Sequence, residues 1–143
     1  MKAGSIFVLV LTLNFCQARL ERTKLVSGSV YALESQHDGA FLTAFGNGKV
    51  GGKHANNGIE QGQRWTFTQN GDASWTLAPI IADINLVSEQ TWKIFPVSHG
   101  KSLLQSLSSN KCLVNTRSEA TLIDGSCDKD DPRQRWNIQQ SAA

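Results

Sequence analysis

Three histidines, His37, His54 and His99, are the candidate acid–base groups of this 143-residue chain. A serine triad needs a histidine held between a nucleophile and an acid. None of the three stands in a motif that does this, and each reads as a surface histidine on a turn. Asp128, Asp130 and Asp131 gather around Lys129. Hard oxygen ligands cluster in this way around calcium. However, Asp128-Lys129-Asp130-Asp131-Pro132 lacks the glycine-spaced loop of calcium motifs, so it reads as a solvated loop. Gly46-Asn47-Gly48-Lys49-Val50-Gly51-Gly52-Lys53 invites comparison with a phosphate-cradling loop. It leads into no helix-forming stretch and lacks the Lys-Ser/Thr ending. It reads instead as a mobile hairpin loop, extended by Asn56-Asn57-Gly58. With Lys49, Lys53 and His54 it is polar and amide-rich, the composition of an adaptable binding surface. These groups point to binding rather than catalysis, and no metal, cofactor or catalytic residue is expected.

The N-terminus carries a different message. Lys2 precedes the apolar run Ile6 to Leu13, and Cys16-Gln17-Ala18 follows. That is the three-part pattern of a secretory signal, with cleavage after Ala18. A membrane anchor fits less well, because a spanning helix needs about 20 apolar residues and Asn14 interrupts the run. A lipidated Cys16 is disfavoured by the bulky Phe15 before it. The sequence thus predicts a signal peptide over 1–18 and one secreted domain over 19–143, with no membrane span. Cys112 and Cys127 remain, and an even pair in an oxidising compartment predicts a disulfide. Closing that loop stabilises the fold by about 3 kcal/mol in the chain-entropy model. A metal pair lacks neighbouring ligands, and a catalytic thiol would need a cysteine left free. No Asn-x-Ser/Thr acceptor occurs, so N-glycosylation is not expected.

The elements that must position these groups are strands. The chain is long enough for one domain and too short for a barrel of alternating strands and helices, which needs about 250 residues. A formal charge of +2 argues against a nucleic-acid binder, which shows a basic patch or stripe. One pattern repeats: Gln63-Arg64-Trp65, Gln90-Thr91-Trp92 and Gln134-Arg135-Trp136. Each runs on into alternation, as Trp65-Thr66-Phe67, Trp92-Lys93-Ile94 and Trp136-Asn137-Ile138. At a period of two, the Trp and the following apolar residue share one strand face. Further strands are predicted at Val30–Leu33, Phe41–Ala44, Trp75–Leu77, Ile84–Val87, Lys101–Leu104, Cys112–Val114 and Ala120–Ile123. His37-Asp38-Gly39, Asn47-Gly48 and Asn70-Gly71-Asp72 supply turns. No sustained helical stripe appears. Short strands with frequent turns predict an all-β sandwich or barrel. The threefold Gln-x-Trp favours a pseudo-threefold barrel that packs one indole per repeat into a shared core. Each indole buries roughly 150–250 Å², and the Gln amide, with two donors and an acceptor, can tie down loop backbone.

These residues resemble the ricin B-type lectin family, whose β-trefoil domain carries Gln-x-Trp in each of three repeats. The closest stretch runs from Asn110-Lys111-Cys112-Leu113 through Ala120-Thr121-Leu122-Ile123-Asp124-Gly125-Ser126-Cys127 to Arg133-Gln134-Arg135-Trp136. In the family these two cysteines are joined within the repeat. The resemblance covers most of the expected mature chain, roughly Gly28 to Gln139. It implies an uneven β-trefoil whose second repeat is shortened, because Trp75 to Gln90 leaves no room for a full hairpin. The stretch from Ser35 to Val50 is also similar to fascin-type trefoil repeats. The departures bear on function. The family places a sugar-binding Asp after Cys-Leu, where this chain has Val114 and, in repeat one, Thr43. The family's Asn before the Gln is Arg133 here and Gly62 in repeat one. Its stacking aromatic before the second Cys is Gly125. Only Gln63, Gln90 and Gln134 carry over, in a mainly structural role.

The expected function is a secreted, non-catalytic lectin-like module that binds a glycan or glycoprotein through loop sites. Asp38 and Asn115 lie beside the positions where the family keeps its ligands, and Gln134 is a matched position. These three are the candidate carbohydrate-binding residues. The alternative is a protein-binding trefoil that has lost sugar binding, such as a toxin's cell-docking subunit with partner subunits, or a protease inhibitor.

Overall fold

The computed structural model describes residues 24–45, 50–81, 91–115 and 123–141. The expected signal segment, Asn47-Gly48, the strand at Ile84–Val87, Gln90 and most of the strand at Ala120–Ile123 lie outside these residues. Ten strands are described: β1 Val30–Ser35, β2 Phe41–Ala44, β3 Val50–Lys53, β4 Trp65–Gln69 and β5 Trp75–Pro79, then β6 Thr91–Pro96, β7 Ser102–Ser106, β8 Cys112–Leu113, β9 Ile123–Gly125 and β10 Trp136–Gln140. Short 3-10 turns cover Gln61–Gln63, Ser98–Gly100 and Pro132–Gln134.

Six strands close a barrel. β1 pairs with β4, β4 with β5, β5 with β6, β6 with β7, β7 with β10, and β10 returns to β1. Every pairing is antiparallel, and closure leaves no open edge on the ring. β2–β3 and β8–β9 are hairpins attached through β1 and β7. The strands follow from their alternation. Trp65 and Phe67 are buried while Thr68 and Gln69 face solvent, and Trp136 and Ile138 are buried beside a partly exposed Asn137.

The register shows the threefold repeat. Trp136 pairs with Ser35, Trp92 with Ser106 and Trp65 with Pro79. Two positions further along, Ile138 faces Leu33, Ile94 faces Leu104 and Phe67 faces Leu77. Trp65, Trp92 and Trp136 belong to one core cluster with Leu33, Leu77 and Leu104. The architecture is therefore a β-trefoil, with lobe one in β1–β4, lobe two in β5–β6 and lobe three in β7–β10. Lobe two is the short one. Only residues 80–90 separate β5 from β6, whereas residues 36–64 separate β1 from β4.

Cys112 and Cys127 form the expected disulfide. One local expectation is corrected. Val50–Lys53, read from sequence as part of a mobile loop, is strand β3. Glycine disfavours strands unless another group must come close, and here one does, as shown below. Of the strand expected over Ala120–Ile123, only Ile123 is described, and it lies in β9, Ile123–Gly125.

The β4–β5 hairpin turns through Asn70-Gly71-Asp72-Ala73. Asp72 Oδ1 accepts from the backbone N–H of Ser74 at 3.1 Å, and Ala73 sits at φ +67°. A left-handed conformation costs an L-residue with a Cβ roughly 1–2 kcal/mol, while glycine adopts it freely at an entropic cost. Ala73→Gly is therefore expected to stabilise the protein by about 0.5–1 kcal/mol. A higher urea midpoint at unchanged slope would show this; a lower midpoint would refute it.

Candidate functional site

The Gln-x-Trp residues build the frame of the site. The indole Nε1–H of Trp65 donates to the carbonyl of Leu42 at 3.0 Å, and that of Trp136 to the carbonyl of Leu113 at 3.2 Å, both across 23 residues of sequence. Each bond pins the first strand of a hairpin to the barrel. The glutamines pin the other side. Gln63 Nε2 donates to the carbonyl of Lys53 at 3.0 Å, and its Oε1 accepts from the N–H of Glu60 at 3.0 Å. Gln134 Nε2 donates to the carbonyl of Ser126 at 2.9 Å, and its Oε1 accepts from the N–H of Asp128 at 2.8 Å. Both glutamines are buried.

The positions where a ricin B-type lectin would hold sugar are filled differently. Thr43 is buried, donating to the carbonyl of Phe41 at 2.8 Å and accepting from Gln63 Nε2 at 3.3 Å. A Cβ at Gly62 would meet the carbonyl oxygen of Ala44 at 2.6 Å, so only glycine fits. Val114 is 8% exposed, and a Cβ on Gly125 would stand 3.3 Å from its methyl and 3.1 Å from Gln134 Nε2. Arg133 is engaged with Asp131, Nη2 to Oδ2 at 3.0 Å. Asp131 also caps the turn Pro132–Gln134 by accepting the N–H of Arg133. The Arg133 guanidinium thereby holds the Asp131 carboxyl below the usual carboxylate range and is itself raised.

Asp38 and Asn115 are brought together from different lobes. Asp38 lies in the β1–β2 turn and Asn115 just beyond β8. Asn115 Nδ2 donates to Asp38 Oδ1 at 2.7 Å and to Ser35 Oγ at 2.9 Å. The N–H of Ala40 adds a third bond, to Asp38 Oδ1 at 2.9 Å. One backbone bond joins the two lobes here, from Gln36 N–H to the Arg135 carbonyl at 2.9 Å, and Asn115 is itself held within lobe three by its N–H to the Arg133 carbonyl at 2.8 Å. Asp38, Ala40, Gly52 and His54 line an open depression of about 310 Å³. Asn115 is 3% exposed and lies behind it. A Cβ on Gly52 would stand only 2.7 Å from Asn115 Oδ1, which explains why β3 carries a glycine there. Gln134 is not among the lining residues and serves the lobe-three clamp. Sequence reasoning missed Ser35 and the part played by Gly52. The paired glycines of Gly51-Gly52 were the available signal, since glycine within a strand marks a close approach.

A second depression, of about 370 Å³, is lined by Pro96, Val97, Ser98, Lys129, Asp130 and Arg135. There Arg135 Nε donates to the carbonyl of Lys129 at 2.6 Å, and its Nη2 lies 3.5 Å from Asp130. His37, His54 and His99 are exposed. Among the described residues no group of three His, Cys, Asp or Glu is placed to hold a metal ion.

No protein-family model matches the chain, and no curated protein matches its sequence. Solved structures do match. The designed threefold-symmetric protein ThreeFoil aligns at 16% identity over 78% of this chain and 99% of its own, with a TM-score of 0.59. The ricin B-like lectin of Macrolepiota procera, solved in complex with lactose, aligns at 15% identity over 83% of this chain and 100% of its own, TM-score 0.59. A salivary protein of Culex quinquefasciatus from a cysteine- and tryptophan-rich family aligns at 15% identity over 84% and 99%, TM-score 0.61. At these identities the likeness establishes the fold, a β-trefoil shared with a ricin B-like lectin, a designed protein and a salivary protein.

Two outcomes test this frame. Gln63→Ala removes a fully buried amide and its bonds, and is expected to cost about 2–3 kcal/mol in urea unfolding; a change near zero would refute the clamp. The lowered Asp131 pKa stabilises the fold above the ordinary carboxylate value of 3.8, and that contribution is lost as pH falls through the depressed value. An NMR titration is expected to place the Asp131 midpoint below 3.8 and Arg133→Ala to move it upward. An unmoved midpoint would show that Arg133 is not the cause.

Proposed function

We propose that this chain is a secreted, non-catalytic lectin-like module that binds a glycan or glycoprotein through its loops. Residues 1–18 act as the cleaved signal peptide and 19–143 as the working domain. The Cys112–Cys127 disulfide fits an oxidising compartment, and so does the apolar run before Ala18. The reading is carried by the Asp38 carboxylate, fixed by Asn115 and Ala40 at the edge of an open polar depression. A carboxylate accepts hydroxyl hydrogens well, and charge-assisted bonds are about twice as strong as neutral ones. Asp38 is the contact residue, Asn115 orients it, and Gln134 holds the lobe-three hairpin.

A second reading is a protein-binding trefoil, such as a toxin's docking subunit or a protease inhibitor. Val114, Arg133 and Gly125 favour it, because they replace the sugar ligands of the lectins that the sequence resembles. The two readings separate cleanly. A glycan array probed with the secreted protein is expected to give specific hits, and pull-down from cell membranes is expected to fail after enzymatic deglycosylation. Retained binding to deglycosylated membranes, with a blank array, would establish the protein-binding reading instead.

A further inference from the structure

We propose that the depression between the β6–β7 turn and the loop before β10 binds the carboxylate of a peptide segment of a protein partner, with Arg135 as the contact residue and Lys129 as a second cation beside it. The site is separate from the Asp38 depression and goes beyond the lectin-like reading, since it stands whether or not the loops bind a glycan. Pro96, Val97 and Ser98 line it from the turn, and Lys129, Asp130 and Arg135 from the loop, around about 370 Å³. Two of these residues are cations and one is an acid. Among the described residues the Lys129 ammonium has no ion-pair partner.

The Gln-x-Trp frame shows that Arg135 is used differently from its counterpart. Arg64 and Arg135 are the middle residues of Gln63-Arg64-Trp65 and Gln134-Arg135-Trp136. Gln63 N–H donates to the carbonyl of Glu60, and Gln134 N–H to that of Asp131, so the two loops match position by position. Gly58 and Ile59 therefore stand in lobe one where Lys129 and Asp130 stand in lobe three. Arg64 commits a terminal amino group to its loop, Nη2 to the carbonyl of Ile59 at 3.1 Å, and its Nε is buried with no partner among the described residues. Arg135 does the reverse. Its Nε donates to the carbonyl of Lys129 at 2.6 Å, which leaves its terminal amino groups over. One of them, Nη2, lies 3.5 Å from Asp130, whose side chain is 79% exposed. Charge-assisted N–H···O bonds run to about 2.7–2.9 Å, so this is a loose pair that an incoming carboxylate can displace. The Arg135 side chain is only 18% exposed. The loop bond thus fixes a preorganised guanidinium in the wall of the depression.

The ligand class follows from the lining. A guanidinium presents paired N–H donors that match the two oxygens of a carboxylate. Asp130 repels a dianion about twice as strongly as a monoanion, which disfavours phosphate. Pro96 and Val97 supply an apolar wall, and Ser98 a hydroxyl. A carboxylate with an apolar chain beside it fits these groups. A peptide offers both, as an acidic side chain next to an apolar residue or as a C-terminal carboxylate on one. Of the other acids in the loop, Asp128 accepts the N–H of Asp130 at 2.9 Å and Asp131 pairs with Arg133 at 3.0 Å. Neither lines the depression.

The experiment is a ¹H–¹⁵N titration of the disulfide-bonded protein with N-acetyl-leucyl-glutamate amide, N-acetyl-alanyl-leucine, N-acetyl-leucyl-glutamine amide, inorganic phosphate and N-acetylneuraminic acid. At least one of the two carboxylate peptides is expected to shift the amides of Val97, Ser98, Lys129, Asp130 and Arg135, less so as salt rises, and the glutamine compound to shift none. Tighter binding of the glutamate amide assigns an acidic side chain as the source; tighter binding of the leucine acid assigns a C-terminus. Arg135→Lys keeps the charge, loses the fork and is expected to weaken the peptide about tenfold or more. Lys129→Gln is expected to weaken it about threefold, and Asp130→Asn to tighten it about threefold. That gain is one a folding defect would not produce. Equal shifts with the glutamine compound, preference for phosphate or for the acidic sugar, an Asp130→Asn variant that binds no tighter, or silence with all five would overturn the site. A silent depression combined with glycan-array hits would refute this site and leave the lectin-like reading standing.

Discussion

Burying an indole is costly unless its N–H finds an acceptor, and meeting that requirement organises lobes one and three. Trp65 and Trp136 fill the barrel and send their N–H groups outward to the carbonyls of Leu42 and Leu113. The acceptors are the first strands of the two described hairpins. Barrel packing and hairpin placement are therefore one constraint. In lobes one and three, filling the core with tryptophan places a hairpin at a fixed distance over the indole edge. The glutamine two residues earlier then binds the hairpin's return strand, as Gln63 does at Lys53 and Gln134 at Ser126. The loops beyond those strands inherit a rigid base, which is the condition for a surface site of defined geometry.

Much of this was legible because it depends on rare residues at short spacing. Gln-x-Trp followed by an apolar residue two positions on reports a strand face directly, and three copies report the barrel. Cys112 and Cys127 were legible through the redox compartment that the N-terminus implies. Strand β3 was not legible, because its cause is elsewhere in the chain. Gly51 and Gly52 have poor strand propensity on their own. Gly52 is required by the Oδ1 of Asn115, a residue of another lobe. The Asp38–Asn115 bond was hidden for the same reason, since 77 residues separate its ends. The sequence could nominate the two residues separately, as neighbours of known ligand positions. Their contact is a property of how the lobes pack.

The core also shows how the three lobes diverged while sharing one frame. Tyr31, Trp75 and Ser102 occupy equivalent positions, paired with Trp65, Trp92 and Trp136 respectively. Two large rings and one small hydroxyl share the layer. Tyr31 packs against Phe67 with tilted rings 4.9 Å apart, and Phe67 lies 6.3 Å from Trp75. Ser102 is wholly buried, and among the described residues its hydroxyl has no partner. Symmetry is thus kept by the indoles and given up by the residues between them.

The same division applies at the surface. Within lobes one and three, the positions that resemble lectin ligand positions have been absorbed into structure. Thr43 bonds the Gln63 clamp, Gly62 and Gly125 make room for close packing, Val114 is apolar, and Arg133 is tied to Asp131. A polar group committed to a buried bond is costly to withdraw for a ligand. Recognition is better placed where polar groups meet at the surface after the lobes have packed. At the junction of lobes one and three the Asp38 carboxylate is oriented by bonds from both lobes and borders an open depression. In a trefoil whose lobes have diverged, the junctions between lobes differ from one another even where the lobes remain alike. Function can therefore settle at one junction without disturbing the indole frame that all three lobes share.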